Sequence, residues 1–96
     1  MFRDIREVIA TNKAIGHHFF DRETLRFFGS RISRELVAGR YFVTSESDFY
    51  GTSRSYTIRV VNPRGEVDTV GTFGQYETLS QAKRAMRKLA TKEGGE

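Results

Sequence analysis

The sequence predicts an α+β fold in which three to four antiparallel strands form one small sheet and helices cover it. Between Arg40 and Phe73 the chain is rich in aromatic and β-branched residues and is interrupted by turn residues, which is typical of strands. Apolar residues at helical spacing occur before and after this stretch. The predicted order is α-α-(β)-β-β-β-α, in a single domain of residues 1–91 followed by a flexible tail, Lys92–Glu96.

The central strands are predicted over Arg40–Glu46, Ser55–Val60 and Glu66–Phe73. The second of these alternates cleanly, so Arg59 is expected on the opposite face of the sheet from Ile58. Because a single hairpin is only marginally stable in water, the sheet needs helices packed against it.

The motif Asn62-Pro63-Arg64-Gly65 connects the last two strands. Its proline fixes φ at the first central turn position, and its glycine can adopt a positive φ. This favours a type I turn followed by a glycine bulge, although a tight two-residue loop would instead pair Arg59 with Asp68. The bulged register pairs Val61 with Val67 and Ile58 with Val70.

Two short helices are predicted before the sheet. The first covers Arg3–Thr11, with Asp4 favouring its start and Asn12 suited to ending it. The second covers Asp21–Ser30, with Asp21 as its N-cap. The connector between them contains two adjacent histidines and two phenylalanines. We expect no metal site there, because neighbouring side chains diverge and the chain has neither a cysteine nor a third histidine. The phenylalanines are expected to anchor the connector in the core; these four residues are His17, His18, Phe19 and Phe20.

Two further segments flank the central strands. Arg31–Val37 is interpreted as an extra edge strand that turns at Ala38-Gly39. The loop Glu46–Arg54 contains Phe49 and Tyr50, which either fold back over the sheet or form an exposed surface for a partner.

The final helix is predicted over Gln75–Ala90. Thr78 and Gln81 form a T-x-x-Q capping box before an apolar run. The residues expected to pack on the sheet are Leu79, Ala82, Met86 and Leu89. The opposite face carries Lys83, Arg84, Arg87 and Lys88, which either form a solvated surface or bind an anionic partner.

Composition narrows the classes of function. The chain has 96 residues, no cysteine and a net charge of +4, which is compatible with nucleic acid or an acidic protein surface as a partner. No apolar run is long enough for a membrane helix, so we expect a cytoplasmic protein. Catalysis and cofactors are not expected, because the available acids and bases form no recognisable spacing. These are His17, His18, Glu46, Asp48 and Asp68.

The segment order from Asp21 resembles the α-β-β-β-α layout of double-stranded-RNA-binding domains, although Ser47–Ser53 lacks the loop pattern of that family. Four motifs carry a second resemblance: FFDxxTLRFFxSR from Phe19, YFVTSE from Tyr41, YTIR from Tyr56 and VGTF from Val70. Through them the chain resembles a family of short, uncharacterised phage and mobile-element proteins over roughly Phe19–Leu89, with Met1–Asn12 outside the match. This resemblance implies a small accessory protein encoded by a phage or mobile element.

The basic residues and the aromatic residues of the Glu46–Arg54 loop suggest two binding functions. In the first, the protein contacts nucleic acid through phosphates, with Phe49 or Tyr50 stacking on an unpaired base. The alternative is a protein-binding host-takeover or anti-defence factor that acts through the Phe49-Tyr50 loop, as a monomer or as a homodimer formed through a strand edge. The phosphate-binding candidates are Arg54, Arg59, Lys83, Arg84, Arg87 and Lys88.

Overall fold

The structure is a computed structural model, and it describes residues 2–27, 31–47 and 53–93. The element order is α-α-β-β-β-β-α, which confirms the predicted α+β fold. Every helix in the described ranges is too short or too polar to span a lipid bilayer. The elements are α1 (Ile5–Ala14), α2 (Arg22–Phe27), β1 (Arg31–Ile32), β2 (Tyr41–Ser47), β3 (Arg54–Val61), β4 (Val67–Val70) and α3 (Leu79–Glu93).

The four strands form one antiparallel sheet in the order β1-β2-β3-β4. Its centre is the long pairing of β2 with β3, which runs from Tyr41 opposite Val60 to Ser47 opposite Arg54. Both strands lie within one residue of their predicted bounds. The two segments with the clearest strand pattern in the sequence therefore form the centre of the sheet.

The β3–β4 hairpin has the predicted bulged register. Val61 pairs with Val67, and Ile58 pairs with Val70. The Gly65 amide donates to the Asn62 carbonyl oxygen at 2.9 Å, and Gly65 has φ +98°, as a type I turn with a glycine bulge requires. The Asn62 side chain, whose role was not predicted, accepts from two amides across the turn.

Each face of the sheet is covered. On one face, Ala82 and Met86 of α3 pack against three residues of β2 and β3: Tyr41, Val43 and Ile58. On the other face, Val8 of α1 packs against Phe42 and Val61.

Phe19 and Phe20 also pack on this second face, with ring centroids 4.9 Å apart, which confirms that they anchor the connector. Because both faces are covered, a polar residue on either face of the central strands can be buried.

The first helix does not end where Asn12 was expected to stop it. α1 continues to Ala14, and the left-handed position is taken by Gly16, at φ +77°. Asn12 is instead 1% exposed. Its Nδ2 donates to the Gly65 carbonyl oxygen at 2.7 Å, and its Oδ1 accepts from the Phe19 amide at 3.0 Å. These two hydrogen bonds, one of them to the distant hairpin turn, outweigh the local preference of asparagine for a helix end.

Both acidic residues expected at helix starts occupy those places. The Asp4 carboxylate accepts from the Glu7 amide at 3.0 Å. Asp21 directly precedes α2, and its carbonyl accepts from the Leu25 amide at 3.0 Å. The end predicted for α2, at residues 28–30, lies outside the described residues.

The edge strands are shorter than predicted. β1 has only two residues, because Ser33 then bonds to the Val43 backbone through both its amide and its hydroxyl, at 2.8 and 3.1 Å. The turn at Ala38-Gly39 is confirmed, and both residues have positive φ, 55° and 68°.

The strand predicted over Glu66–Phe73 ends at Val70 instead. Gly71 and Gly74 have φ of +77° and +67°, and these conformations carry the chain out of the ladder. Phe73 is consequently 50% exposed rather than part of the strand. The chain returns at Tyr76, which pairs with Tyr56 of β3.

The last helix runs from Leu79 to Glu93, three residues beyond its predicted end. The Thr78 hydroxyl accepts from the Gln81 amide at 3.2 Å, as the predicted cap requires. Leu79 is 39% exposed, so its predicted burial is wrong: it is the first residue of α3 and lies at the margin of the core. The predicted tail, residues 92–96, overlaps the last two residues of α3, and residues 94–96 lie outside the described part of the chain.

Candidate nucleic-acid interface

The outer face of α3 carries a row of basic side chains. Ala82 and Met86 are fully buried against the sheet, so the one or two residues that follow each of them point away from it. The row continues by one further turn to Lys92, and its members line one shallow concavity. The row is about 14 Å long, because nine residue steps separate Lys83 from Lys92 and each step rises about 1.5 Å. We call it the cationic stripe: Lys83, Arg84, Arg87, Lys88 and Lys92.

Glu35 is paired with two members of the stripe. Arg87 contacts its carboxylate through Nε and Nη2, with Nη2 3.0 Å from Oε2, and Lys83 Nζ lies 3.4 Å from Oε1. Slight burial opposes ionisation, but the hydrogen bonds and charges of Arg87 and Lys83 outweigh it and hold the pKa of Glu35 below its usual value. Glu35 therefore fixes two of the cations to the segment between β1 and β2.

The other three cations of the stripe are unpaired within the described part of the chain. No described carboxylate forms an ion pair with Arg84, Lys88 or Lys92. All three are exposed. This leaves an excess of positive charge along one side of α3.

Arg59 does not lie with the cationic stripe. It is on the sheet face that α1 covers, its side chain is 11% exposed, and Nη2 lies 3.5 Å from Glu46 Oε2. Nε donates to the Thr44 hydroxyl at 2.9 Å, and the guanidinium lies over the Phe19 ring, 5.3 Å from its centroid. Burial lowers the pKa of Arg59, and the charge of Glu46 opposes this. Arg59 is thus placed inside the fold rather than on a surface with the other candidates.

Arg54 faces the same side of the sheet as α3, but it lies beside Leu79, at the start of that helix. Its Nη2 donates to both the carbonyl oxygen and the hydroxyl of Ser45 at 3.1 Å. Arg54 therefore lies at the opposite end of α3 from Lys92. The two aromatic candidates, Phe49 and Tyr50, lie outside the described residues.

The titratable residues considered for catalysis are not gathered in one place. His17 Nδ1 contacts the Asn12 side chain at 3.0 Å, and His18 pairs with Asp21 at 2.9 Å. Glu46 is buried against Arg59. Asp68 accepts from a backbone amide, and Asp48 lies outside the described residues. Among the residues that the structure describes, no three metal-binding side chains lie together.

Two residues of the candidate interface were missed from the sequence. Lys92 continues the four-residue spacing of Arg84 and Lys88, a signal that was available but fell in the expected tail. No local sequence pattern indicated that Glu35 pairs with the stripe, because its partner Arg87 lies 52 residues away in the chain.

Comparison with known protein families places the chain in one of them. A family model described as a family of unknown function (DUF7447) matches residues 4–87. The match includes α1, so the region shared with this family begins at Asp4, well before Phe19, where the resemblance to phage and mobile-element proteins was expected to begin. Neither the comparison with curated proteins nor the comparison with solved structures found a match. The chain therefore belongs to this family of unknown function, DUF7447.

Proposed function

We propose that the protein is a non-enzymatic module that binds nucleic acid through the cationic stripe. The observation that supports this best is the placement of five cations on one exposed helix face, opposed by a single described carboxylate, Glu35. Duplex nucleic acid carries about one negative charge per 1.7 Å of its axis, so a stripe of about 14 Å faces several phosphates at once.

The Glu35 contact supports phosphate binding rather than opposing it. The carboxylate uses Nε and Nη2 of Arg87, which leaves Nη1 for a phosphate oxygen. Holding a long side chain in place before binding reduces the entropy lost when the complex forms. Arg87 is therefore preorganised, while the exposed Arg84 and Lys88 supply charge that no described carboxylate neutralises.

A biological role follows from the resemblance to short phage and mobile-element proteins. We infer that the protein is an accessory factor of such an element and acts in the cytoplasm. Its membership of DUF7447 is compatible with this role.

The homodimer alternative is less well supported, because the edge of β4 is partly blocked. The Asn62 amide donates to the Glu66 carbonyl oxygen. Because hydrogen-bonded and non-hydrogen-bonded pairs alternate along an antiparallel ladder, Thr69 and Arg59 form a non-hydrogen-bonded pair, and the Thr69 amide points away from β3 toward the open edge. The carboxylate of Asp68 accepts from that amide at 2.8 Å. A second chain pairing at this edge would have to displace it. A monomer is the form we propose.

The test is fluorescence anisotropy with labelled DNA and RNA at low salt. The charge-removing variant Arg84→Gln/Lys88→Gln should bind at least tenfold more weakly than the wild type, because two phosphate contacts are lost. The matched control is Lys13→Gln/Arg22→Gln, which removes the same charge from exposed positions on α1 and α2. Absence of binding at micromolar protein, or an equal loss in both variants, would remove the proposal.

A further inference from the structure

A second feature of α3 lies beside the cationic stripe. The C-terminal half of the helix, the end of β4 and the segment that follows β4 enclose a groove of about 330 Å³. Its walls are mainly apolar and include Val70, Tyr76, Ala85 and Leu89. This volume is at the small end of the range for small-molecule sites, about 300–1,000 Å³.

The groove and the cationic stripe share two residues. Lys88 and Lys92 border the groove on one side and belong to the stripe on the other. An anionic chain bound along the stripe therefore passes the mouth of the groove. A flat and weakly polar group attached to that chain can enter the groove while the negative charges of the chain stay beside the lysines.

The wall opposite the helix is held by backbone pairing. Tyr76 exchanges two backbone hydrogen bonds with Tyr56, at 2.8 and 3.1 Å, which fixes the tyrosine relative to the sheet. Gln75 is held by its Oε1, which accepts from the Thr72 amide at 3.1 Å. A Cβ on Gly71 would collide with this Gln75 oxygen, so the glycine makes room for the side chain.

The amide nitrogen of Gln75 remains available at the groove. No described group of the chain accepts a hydrogen bond from it. The groove thus combines the Tyr76 ring, the two N–H donors of the Gln75 side-chain amide, and the cations of Lys88 and Lys92.

We propose that this groove receives one unpaired nucleobase, and that the protein therefore prefers single-stranded to double-stranded nucleic acid. The inference rests on the function proposed above and names its substrate class. Bases stack on aromatic side chains whatever their identity, and each of them carries a ring-nitrogen or carbonyl acceptor that suits an amide donor. The lysines at the rim complement the phosphates on either side of the base. In a duplex the base is stacked and paired, and cannot enter.

The experiment compares a labelled 12-nucleotide single strand with a 12-base-pair duplex of the same sequence, by anisotropy. The wild type should bind the single strand about tenfold more tightly. Tyr76→Leu keeps an apolar side chain but removes the ring, and should weaken single-strand binding roughly tenfold while leaving duplex binding unchanged. The matched control is Phe73→Leu, which removes an exposed aromatic residue of the same segment that contacts Arg59 on the other face of the sheet. It should change neither affinity.

Gln75→Ala gives an independent test if Tyr76→Leu fails to fold, because Gln75 is exposed. It should weaken single-strand binding about threefold and leave the duplex unaffected.

The outcomes separate the two proposals. Salt-dependent binding to both forms with equal affinity, insensitive to Tyr76→Leu and Gln75→Ala, overturns the base-binding groove and leaves the cationic stripe. No binding to either form overturns both. A third arm uses phosphatidylserine vesicles, because an anionic amphiphile also suits an apolar groove with a basic rim. Binding to vesicles but not to either oligonucleotide assigns the groove to a lipid and overturns the inference.

Discussion

The ion pair between Glu46 and Arg59 lies inside the protein, and removing either partner alone should destabilise the fold. The side chains are 3% and 11% exposed, and their closest atoms are 3.5 Å apart. Glu46 Oε1 accepts from the Thr57 hydroxyl at 2.7 Å, and that hydroxyl accepts from the Gly74 amide at 2.8 Å. Glu46 Oε2 is buried with no hydrogen-bond donor among the described groups, so Arg59 supplies its main compensation.

The cost of Arg59→Met follows from this burial. Leaving a buried carboxylate without its cation typically costs about 3–5 kcal/mol. Loss of the guanidinium contacts with the Phe19 and Phe73 rings adds about 0.5–1 kcal/mol each. Because a domain is stable by only about 5–15 kcal/mol, this variant should be close to its unfolding limit. Glu46→Gln/Arg59→Met removes both charges and should cost less than Arg59→Met alone.

Urea denaturation followed by far-ultraviolet circular dichroism measures these differences, since the chain has no tryptophan. Arg64→Met is the matched control, because Arg64 is exposed and lies 3.9 Å from an exposed Glu66. It should change the free energy of unfolding by less than about 0.5 kcal/mol. A cost below about 1 kcal/mol for Arg59→Met, or strict additivity in the double variant, would refute a buried, interdependent pair.

Three further predictions concern other parts of the fold. Asn12→Ala should cost about 2–5 kcal/mol, because it leaves the buried Gly65 carbonyl oxygen and the part-buried Phe19 amide without their hydrogen-bond partner; a cost near zero in the same urea assay would contradict this. Ala38→Gly should stabilise the protein by up to about 1 kcal/mol, because Ala38 has φ 55°; a lower melting temperature would show that the turn is not strained. The pKa of Glu35 is lowered in the folded state, so its stabilising contribution is complete above the ordinary carboxyl value of about 4.3 and is lost as the pH falls through the lower folded value. The stability difference between the wild type and Glu35→Gln should therefore shrink on acidification, and a difference that is constant with pH would contradict the ion pair with Arg87.

Local sequence was sufficient where neighbouring residues determine the structure. The register of the β3–β4 hairpin followed from Pro63 and Gly65, because their backbone preferences specify the turn. The cap of α3 followed from Thr78 and Gln81 for the same reason. The outward direction of the basic residues followed from helical spacing, and the structure has them on the exposed face.

Long-range contacts could not be read in this way. Arg59 was correctly assigned to the face opposite Ile58, but its burial depends on phenylalanines from a distant connector. Asn12 has the propensity to end a helix, yet the hairpin turn supplies a hydrogen-bond partner 53 residues away. The predicted surface position of Arg59 and the predicted helix end at Asn12 are wrong for one reason: α1 and the connector cover the second face of the sheet, as α3 covers the first.

The salt dependence of nucleic-acid binding tests the central claim most directly. If three to five cations of the stripe contact phosphates, the logarithm of the association constant for duplex DNA should fall against the logarithm of salt concentration with a slope of about −3 to −4.5. Arg84→Gln/Lys88→Gln should reduce the magnitude of this slope by about 2, and Lys13→Gln/Arg22→Gln should leave it unchanged. A slope near zero, or an equal change in both variants, would contradict phosphate binding by α3.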